Sequence, residues 1–258
     1  MLNLTTDPDT LWSITPVRLG SRTARWSWFN YLESDTQPLA ITYRTWVLQH
    51  HDQVILVDTG PPLDEARRRD ISDLAPVDQR LREAGIDPLA IRHIVLTHLH
   101  WDHASSADLF PNALFYAQRA EIDFFMGNAW LHDATARFFS HREMLSTLIA
   151  RQQIIAVDGD VALTPGLQLL KVGGHTPGSQ MVAVATSEGL AVLTGDAIPM
   201  NRNYVDAIPT GILVDLPAVI NARRRVRDLA PHCIYTGHDP VERWVCNRSR
   251  SSVLGIFP

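Results

Sequence analysis

The sequence predicts an α/β fold, two β-sheets with helices packed outside them, in a single domain over residues 1–258. Three observations carry this reading. Apolar, β-branched runs alternate with amphipathic helical stretches, and the alternation occurs twice along the chain. No Pro/Ser-rich linker separates the two halves. The chain has 258 residues, 45% of them hydrophobic, which is enough for a sizeable core and too apolar for disorder.

The elements follow in order. "LWSITPVRLGS" (11–21), "LAITYRTWVLQHH" (39–51) and "QVILVDTG" (53–60) are strands, rich in β-branched and aromatic residues and broken by turn formers. The last two flank "HHD", which suits a hairpin. Between the first two, Trp26, Trp28, Phe29 and Tyr31 crowd together as core or edge packing, with a pocket wall as the alternative. "VDQRLREAG" (77–85) places Val77, Leu81 and Ala84 on one face and stops at Gly85, so it is a short helix. "IRHIVLTH" (91–98) is a buried strand, "NALFYAQ" (112–118) another, and "RAEIDFF" (119–125) opens a helix. Residues 128–153 are expected to be helical and carry Trp130, Phe138 and Phe139. A second β-rich half holds "GLQLLKV" (166–172), "QMVAVAT" (180–186) and "LAVLTGD" (190–196). "DLPAVINARRRVRDLA" (215–230) is a helix and "HCIYTGH" (232–238) a last strand.

Composition excludes several function classes. A formal net charge of −5 argues against a nucleic-acid surface, which needs a basic stripe. The densest basic run, "ARRR" at 222–225, sits among Val219, Ile220, Val226 and Leu229 and reads as the solvated face of a helix. Two cysteines, Cys233 and Cys246, form no CxxC pair, so the chain is expected to be reduced and cytoplasmic, with Cys233 a small core residue. The N-terminus lacks the pattern of a signal peptide, and no apolar window is long enough for a membrane span.

One stretch is not explained by packing. "VLTHLHWDHASS" (95–106) sets His98, His100, Asp102 and His103 within six residues, directly after an apolar strand. Neutral imidazoles and carboxylates are ligands for Zn²⁺ and similar ions. In a loop leaving a strand, alternate residues converge on one point and the next two turn toward a second. The spacing therefore suits two metals, about 3.5–4 Å apart in such centres, better than one. Three more strand ends each carry one ligand-type residue after a tight turn: His175 in "VGGHTPGSQ", Asp196 in "VLTGDAIP" and His238 in "IYTGHDP". Of the 11 histidines, the other six lack such a setting and are read as surface or core residues.

"LVDTG", "HLHWDH", "GGHTPGS", "TGDA" and "TGHD", in this order across about residues 40–240, resemble the metallo-β-lactamase fold superfamily. The resemblance implies an αββα sandwich of two mixed sheets with outer helices and a dinuclear metal centre at one edge. It implies that His98, His100 and His175 hold one ion, that Asp102, His103 and His238 hold the other, and that Asp196 bridges them. Asp58 would fix the tautomer of a ligand histidine. The expected cofactor is a pair of divalent ions, Zn²⁺ first, with Mn, Fe or Co acceptable to the same ligands.

Within the superfamily, Asp196 and the missing signal peptide disfavour true metallo-β-lactamases, and the first motif does not fit the flavodiiron pattern. "LVDTGPP", "HLHWDHASSADLFPNALFYAQRAEID" and "GDVALTPGLQLLKVGGHTPGSQ" look most like the N-acyl homoserine lactonase group. The implied activity is opening of a lactone ring by hydroxide held between the metals, with Asp102 relaying the proton. The alternative is hydrolysis of another small ester, thioester or cyclic amide, as in glyoxalase II enzymes. Two features depart from the group. Pro199 stands where a carbonyl-polarising tyrosine is usual, which makes Tyr204 the candidate substitute, and Ala104 and Ser105 replace two glycines. The expected substrate is a small lactone or ester with an apolar tail or aromatic ring, not a highly charged one. The chain is expected to act as a monomer or homodimer, with neither nucleic acid nor membrane as partner.

Overall fold

The computed structural model describes residues 8–139, 142–241 and 243–245. Cys246 and the apolar end of the tail lie outside the described residues.

In the first half, strands β1 (Ser13–Arg25), β2 (Pro38–His50), β3 (Gln53–Val57), β4 (His93–Val95), β5 (Leu114–Gln118) and β6 (Ile154–Val157) form one mixed sheet in that order. Its helices are α1 (Trp26–Phe29), α2 (Leu63–Arg68), α3 (Val77–Glu83), α4 (Trp101–Ala104), α5 (Arg119–Met126), α6 (Asp133–Ala136) and α7 (Arg142–Ala150). In the second half, β7 (Val161–Thr164), β8 (Leu167–Lys171), β9 (Gln180–Thr186), β10 (Gly189–Gly195), β11 (Cys233–Thr236) and β12 (Trp244–Val245) form the other sheet, with α8 (Asn201–Val205) and α9 (Leu216–Leu229).

The layers follow from side-chain alternation along the strands. On β9, Val182 and Val184 face the other sheet while Met181 and Ala183 face outward onto α9. Trp46, Leu48, Ile55 and Val57 of the first sheet meet Leu167, Leu169, Leu193 and Cys233 of the second, which makes the central seam. Outside the first sheet, Leu81, Phe125 and Leu145 bring α3, α5 and α7 onto Val47, Leu56 and Ile94. Outside the second, Ala222 and Val226 bring α9 onto Val192 and Ile234. The result is an αββα sandwich of two mixed sheets.

Most predicted elements are present, with informative differences. The β2–β3 hairpin turns at His51 and Asp52, with His51 in the left-handed region at φ 50°. β1 runs on to Arg25, well past Ser21, because its pairing with β2 continues to Pro38 after a bulge at Arg18/Gly20. The helix expected over 128–153 is broken: α6 and α7 are separate, and Gln153 already pairs toward β5. The "ARRR" run lies on α9, where Arg224 is exposed while Arg223 and Arg225 lie half-buried along its sides, donating to the carbonyls of Tyr204 and Lys171. Among the described residues, no helix is long and apolar enough to cross a membrane.

Candidate active site

The ends of β3, β4, β10 and β11 and the β8–β9 loop open at the same edge of the sandwich. β3 and β4 are parallel neighbours, as are β10 and β11, so their C-terminal ends point the same way. Asp58 follows β3 with φ 63°, a left-handed backbone that a short acidic residue tolerates. This turns its carboxylate inward. One oxygen accepts the Thr97 N–H at 2.7 Å, and the other lies 2.8 Å from Thr97 Oγ1 and 2.7 Å from His103 Nδ1. After β4 the chain crosses the edge, and residues 101–104 make one helical turn with His100 as its N-cap. That turn carries Asp102 and His103 toward His238, with the His103 ring still 4.2 Å from that of His98. The sequence pointed to an irregular loop here.

His98, His100, Asp102, His103, His175, Asp196 and His238 are brought together. Three sets have donor atoms within 4.8 Å of one another: His98, His100 and His175; His98, His103 and Asp196; and Asp102, His103 and His238. Asp196 Oδ2 lies 3.2 Å from His238 Nε2 and 3.6 Å from His175 Nε2, and Asp196 Oδ1 lies 3.3 Å from His103 Nε2. Close approach of the last strand end requires a glycine at 237, where a Cβ would sit 2.3 Å from Asp196 Oδ1.

Most of the ligand rings are held through their other nitrogen. Nδ1 of His103 meets Asp58, Nδ1 of His175 donates to the Ile212 carbonyl at 2.7 Å, Nδ1 of His238 to that of Thr42 at 3.2 Å, and Nδ1 of His98 lies 3.1 Å from Thr97 Oγ1. In each case this turns Nε2 inward, where the neutral ring presents a lone pair. His98 Nε2, His103 Nε2 and Asp196 Oδ1 are buried without a hydrogen-bond partner among the described residues. Such groups are rare in a folded protein, and here they converge. Burial first, and then neighbouring imidazoles, hold His98 and His100 well below the ordinary imidazole value, in the neutral form a cation needs. Burial would lower His103 too, but Asp196, Asp102 and Asp58 outweigh it and hold the ring well above its ordinary value. The cluster thus combines neutral donors with concentrated negative charge, and its donor set fits a pair of divalent cations.

Two supports were invisible in the sequence. Glu121 on α5 is fully buried, and its carboxylate accepts the Leu99 N–H at 3.0 Å and the Gly178 N–H at 2.9 Å. It ties the His98–His103 segment to the His175 loop. Burial outweighs those donors and raises its pKa. Pro199 accepts the backbone N–H of His238 at 2.7 Å, so the residue that displaces the usual tyrosine holds the last ligand strand instead.

A cavity of about 260 Å³ opens on the cluster, touching His100, Asp102, His175, Asp196 and His238. Trp28, Phe29, Ile41, Trp101, Phe138 and Ile212 supply its apolar wall. The aromatic segments therefore divide: Trp28, Phe29 and Phe138 reach the cavity, while Phe125 packs in the core. Tyr204 does not line the cavity. It packs beside the second sheet's outer core, with the Arg223 guanidinium over its ring at 5.7 Å. The tyrosine in the cavity is Tyr43 of β2, set edge-on to His238 at 5.4 Å. Burial first, and then Asp102, push its hydroxyl far above the ordinary value, so it stays protonated. The walls also hold Arg22, Arg69 and Arg137, whereas the sequence pointed to a substrate that is not highly charged.

The fold, the ordered ligand set and the cleft define a metal-dependent hydrolase. A family model for the metallo-beta-lactamase superfamily matches residues 43–238, and the chain belongs to that superfamily. Among its relatives is an N-acyl homoserine lactonase of Bacillus cereus, 25% identical over 212 residues, covering 75% of this chain and 80% of that one. Another is the N-acyl homoserine lactonase AttM of Rhizobium johnstonii, 29% identical over 179 residues and covering 65% of each chain. The crystal structure of a quorum-quenching N-acyl homoserine lactone lactonase superposes with a TM-score of 0.76 at 25% identity, over 90% of this chain and 93% of that one. AidC, a dizinc quorum-quenching lactonase, shares the fold with a TM-score of 0.66 at 17% identity, over 91% and 90%.

Proposed function

We propose that this chain opens a lactone ring, that of an N-acyl homoserine lactone or a related small lactone, at a dinuclear centre formed by His98, His100 and His175, by Asp102, His103 and His238, and by Asp196 between them. The observation that carries the reading is the cavity: one small space is bordered on one side by the ligand cluster and on the other by an apolar wall. Lactonase relatives matching across three quarters of the chain support the same choice.

When bound, the divalent ions supply Lewis acidity and bring the pKa of a water toward about 7, here with Zn²⁺ as the expected pair. The protein's residues do the rest. Trp28, Phe29 and Ile41 seat the apolar part of the substrate and exclude water from it. Tyr43, kept protonated, offers its O–H to the carbonyl oxygen as negative charge develops there. The water oxygen adds to the carbonyl carbon. Asp102, whose side chain is 12% exposed, receives the water's proton and gives it to the ring oxygen as the C–O bond breaks. No covalent intermediate with the protein is required.

The test is a panel of matched substrates followed by pH-stat on metal-loaded protein: N-acyl homoserine lactones of short and long chain, simple γ- and δ-lactones, an aryl lactone, and open-chain esters and thioesters. The expected result is preferential opening of lactones. Turnover confined to open-chain esters or thioesters would overturn the lactonase reading and leave a hydrolase of another small ester.

A further inference from the structure

Three arginines from three separate parts of the chain meet in the cavity wall: Arg22 on β1, Arg69 after α2 and Arg137 after α6. They are arranged, not merely near one another. Arg22 Nη1 donates to the Arg69 carbonyl at 3.3 Å, and Arg69 Nη2 donates to the Arg137 carbonyl at 3.0 Å. Each guanidinium lies over an aromatic ring: Arg22 over Trp28 at 5.2 Å, Arg69 over Trp101 at 4.2 Å and Arg137 over Phe138 at 5.0 Å. Stacking of this kind holds a guanidinium head against a wall that a flexible ammonium would leave.

Their charge is poorly balanced. Arg69 meets Glu65 at 2.8 Å, but Glu65 also pairs with Arg68 at 2.7 Å. Arg22 and Arg137 have no carboxylate within 4.0 Å among the described residues, and Arg22 Nε is buried without a hydrogen-bond partner. Among the described residues, the acids lining the cavity are Asp102 and Asp196, which sit in the His/Asp cluster. Arg22 and Arg69 are half-buried while Arg137 is exposed at the cavity mouth, and a partly desolvated guanidinium without a full partner is costly unless an anion completes it. A neutral acyl homoserine lactone would leave Arg22 and Arg137 without a carboxylate and Arg69 sharing Glu65 with Arg68.

We propose that the substrate carries an anionic group, a carboxylate or a similarly planar oxyanion, in addition to its scissile carbonyl, and that Arg22, Arg69 and Arg137 bind it. Planar carboxylate matches the guanidinium fork. The cavity volume, about 260 Å³, fits a short molecule: a ring, a few carbons and the anion. This rests on the lactonase reading for the identity of the scissile group, but not for the anion site.

The experiment compares N-succinyl with N-butanoyl homoserine lactone, which differ by a terminal carboxylate on the same length of chain. Binding of the lactam analogues of both to the metal-free protein is measured by calorimetry, and kcat/KM of both lactones on the metal-loaded protein. The charged member is expected to win by roughly 10-fold or more in each assay, with the advantage shrinking as salt rises. In R22Q, R137Q and the double variant that ratio falls toward one, while R119Q, a surface arginine paired with Asp158, keeps it. Equal or weaker binding of the charged lactam overturns the proposal whatever the turnover. A binding preference with no turnover of either lactone, nor of the γ-, δ- and aryl lactones of the panel, overturns the lactonase reading alone.

Discussion

The ligand cluster and the substrate wall face each other across one small cavity, and they are built in opposite ways. The cluster is built at strand ends: each of its residues follows a strand by a few positions, and most of its rings are fixed through their other nitrogen, His103 by Asp58, His98 by Thr97 and His175 by the Ile212 carbonyl. The wall is assembled at long range. Trp28 follows β1, Tyr43 is in mid-strand on β2, Arg69 follows α2 and Phe138 follows α6. The cluster lies in short motifs, whereas most of the wall comes from segments that carry none.

Substitutions on the two sides should therefore fail differently. The largest effect is expected at Asp196→Ala, which removes the carboxylate shared by three histidines. Turnover should fall by about 10³-fold or more, with loss of bound metal by elemental analysis. Full activity with two ions retained would remove Asp196 from its bridging role. Glu121→Ala comes next. It strands the Leu99 and Gly178 N–H groups in the interior and should cost about 2–5 kcal/mol in urea unfolding. The same residue gives a pH signature. Burial raises the Glu121 carboxyl above its ordinary 4.5. The folded chain then holds a proton that the unfolded chain has released, so this group's contribution is full below about pH 4.5 and is lost as pH rises toward the folded value. Glu121→Gln should flatten that slope relative to the parent chain, and an unchanged slope would show that folding does not shift the Glu121 carboxyl.

Asp58→Asn tests the hold on a ligand ring. An amide still reaches Thr97 but no longer favours the correct His103 tautomer, and metal affinity should drop about 10- to 100-fold. The wall should respond without metal loss. Tyr43→Phe should lower kcat roughly 10- to 100-fold while metal content stays at two ions. Tyr204→Phe should change kcat by less than about 2-fold, because that ring packs under Arg223 away from the cavity. The opposite ranking of the two tyrosines would return the polarising role to Tyr204.

The same contrast explains what could be read in advance. His98, His100, Asp102, His103, His175, Asp196 and His238 stood out because ligand chemistry concentrates rare residue types at strand ends. The sandwich was legible from strand patterns such as "QMVAVAT", buried on both faces. Glu121 was not, since an acidic residue in the first turn of a helix is ordinary until α5 docks and seals it. Arg22 and Arg69 carried no signal either, since an isolated arginine on a strand or past a helix marks no cavity until the segments pack. β6 and β7 were missed because "IIAV" and "VALT" are too short to show a period. The run 128–153 read as one helix because aromatic spacing there reflects two separate contacts, Phe138 with the cavity and Phe139 with the core.

The most direct measurement is lactone-opening activity as a function of metal bound, starting from chelated protein and adding Zn²⁺ in steps. The account predicts no turnover without metal and a rise that is complete near two equivalents, followed by its loss on renewed chelation. Full turnover in the chelated protein, or saturation at one equivalent, would contradict a dinuclear centre.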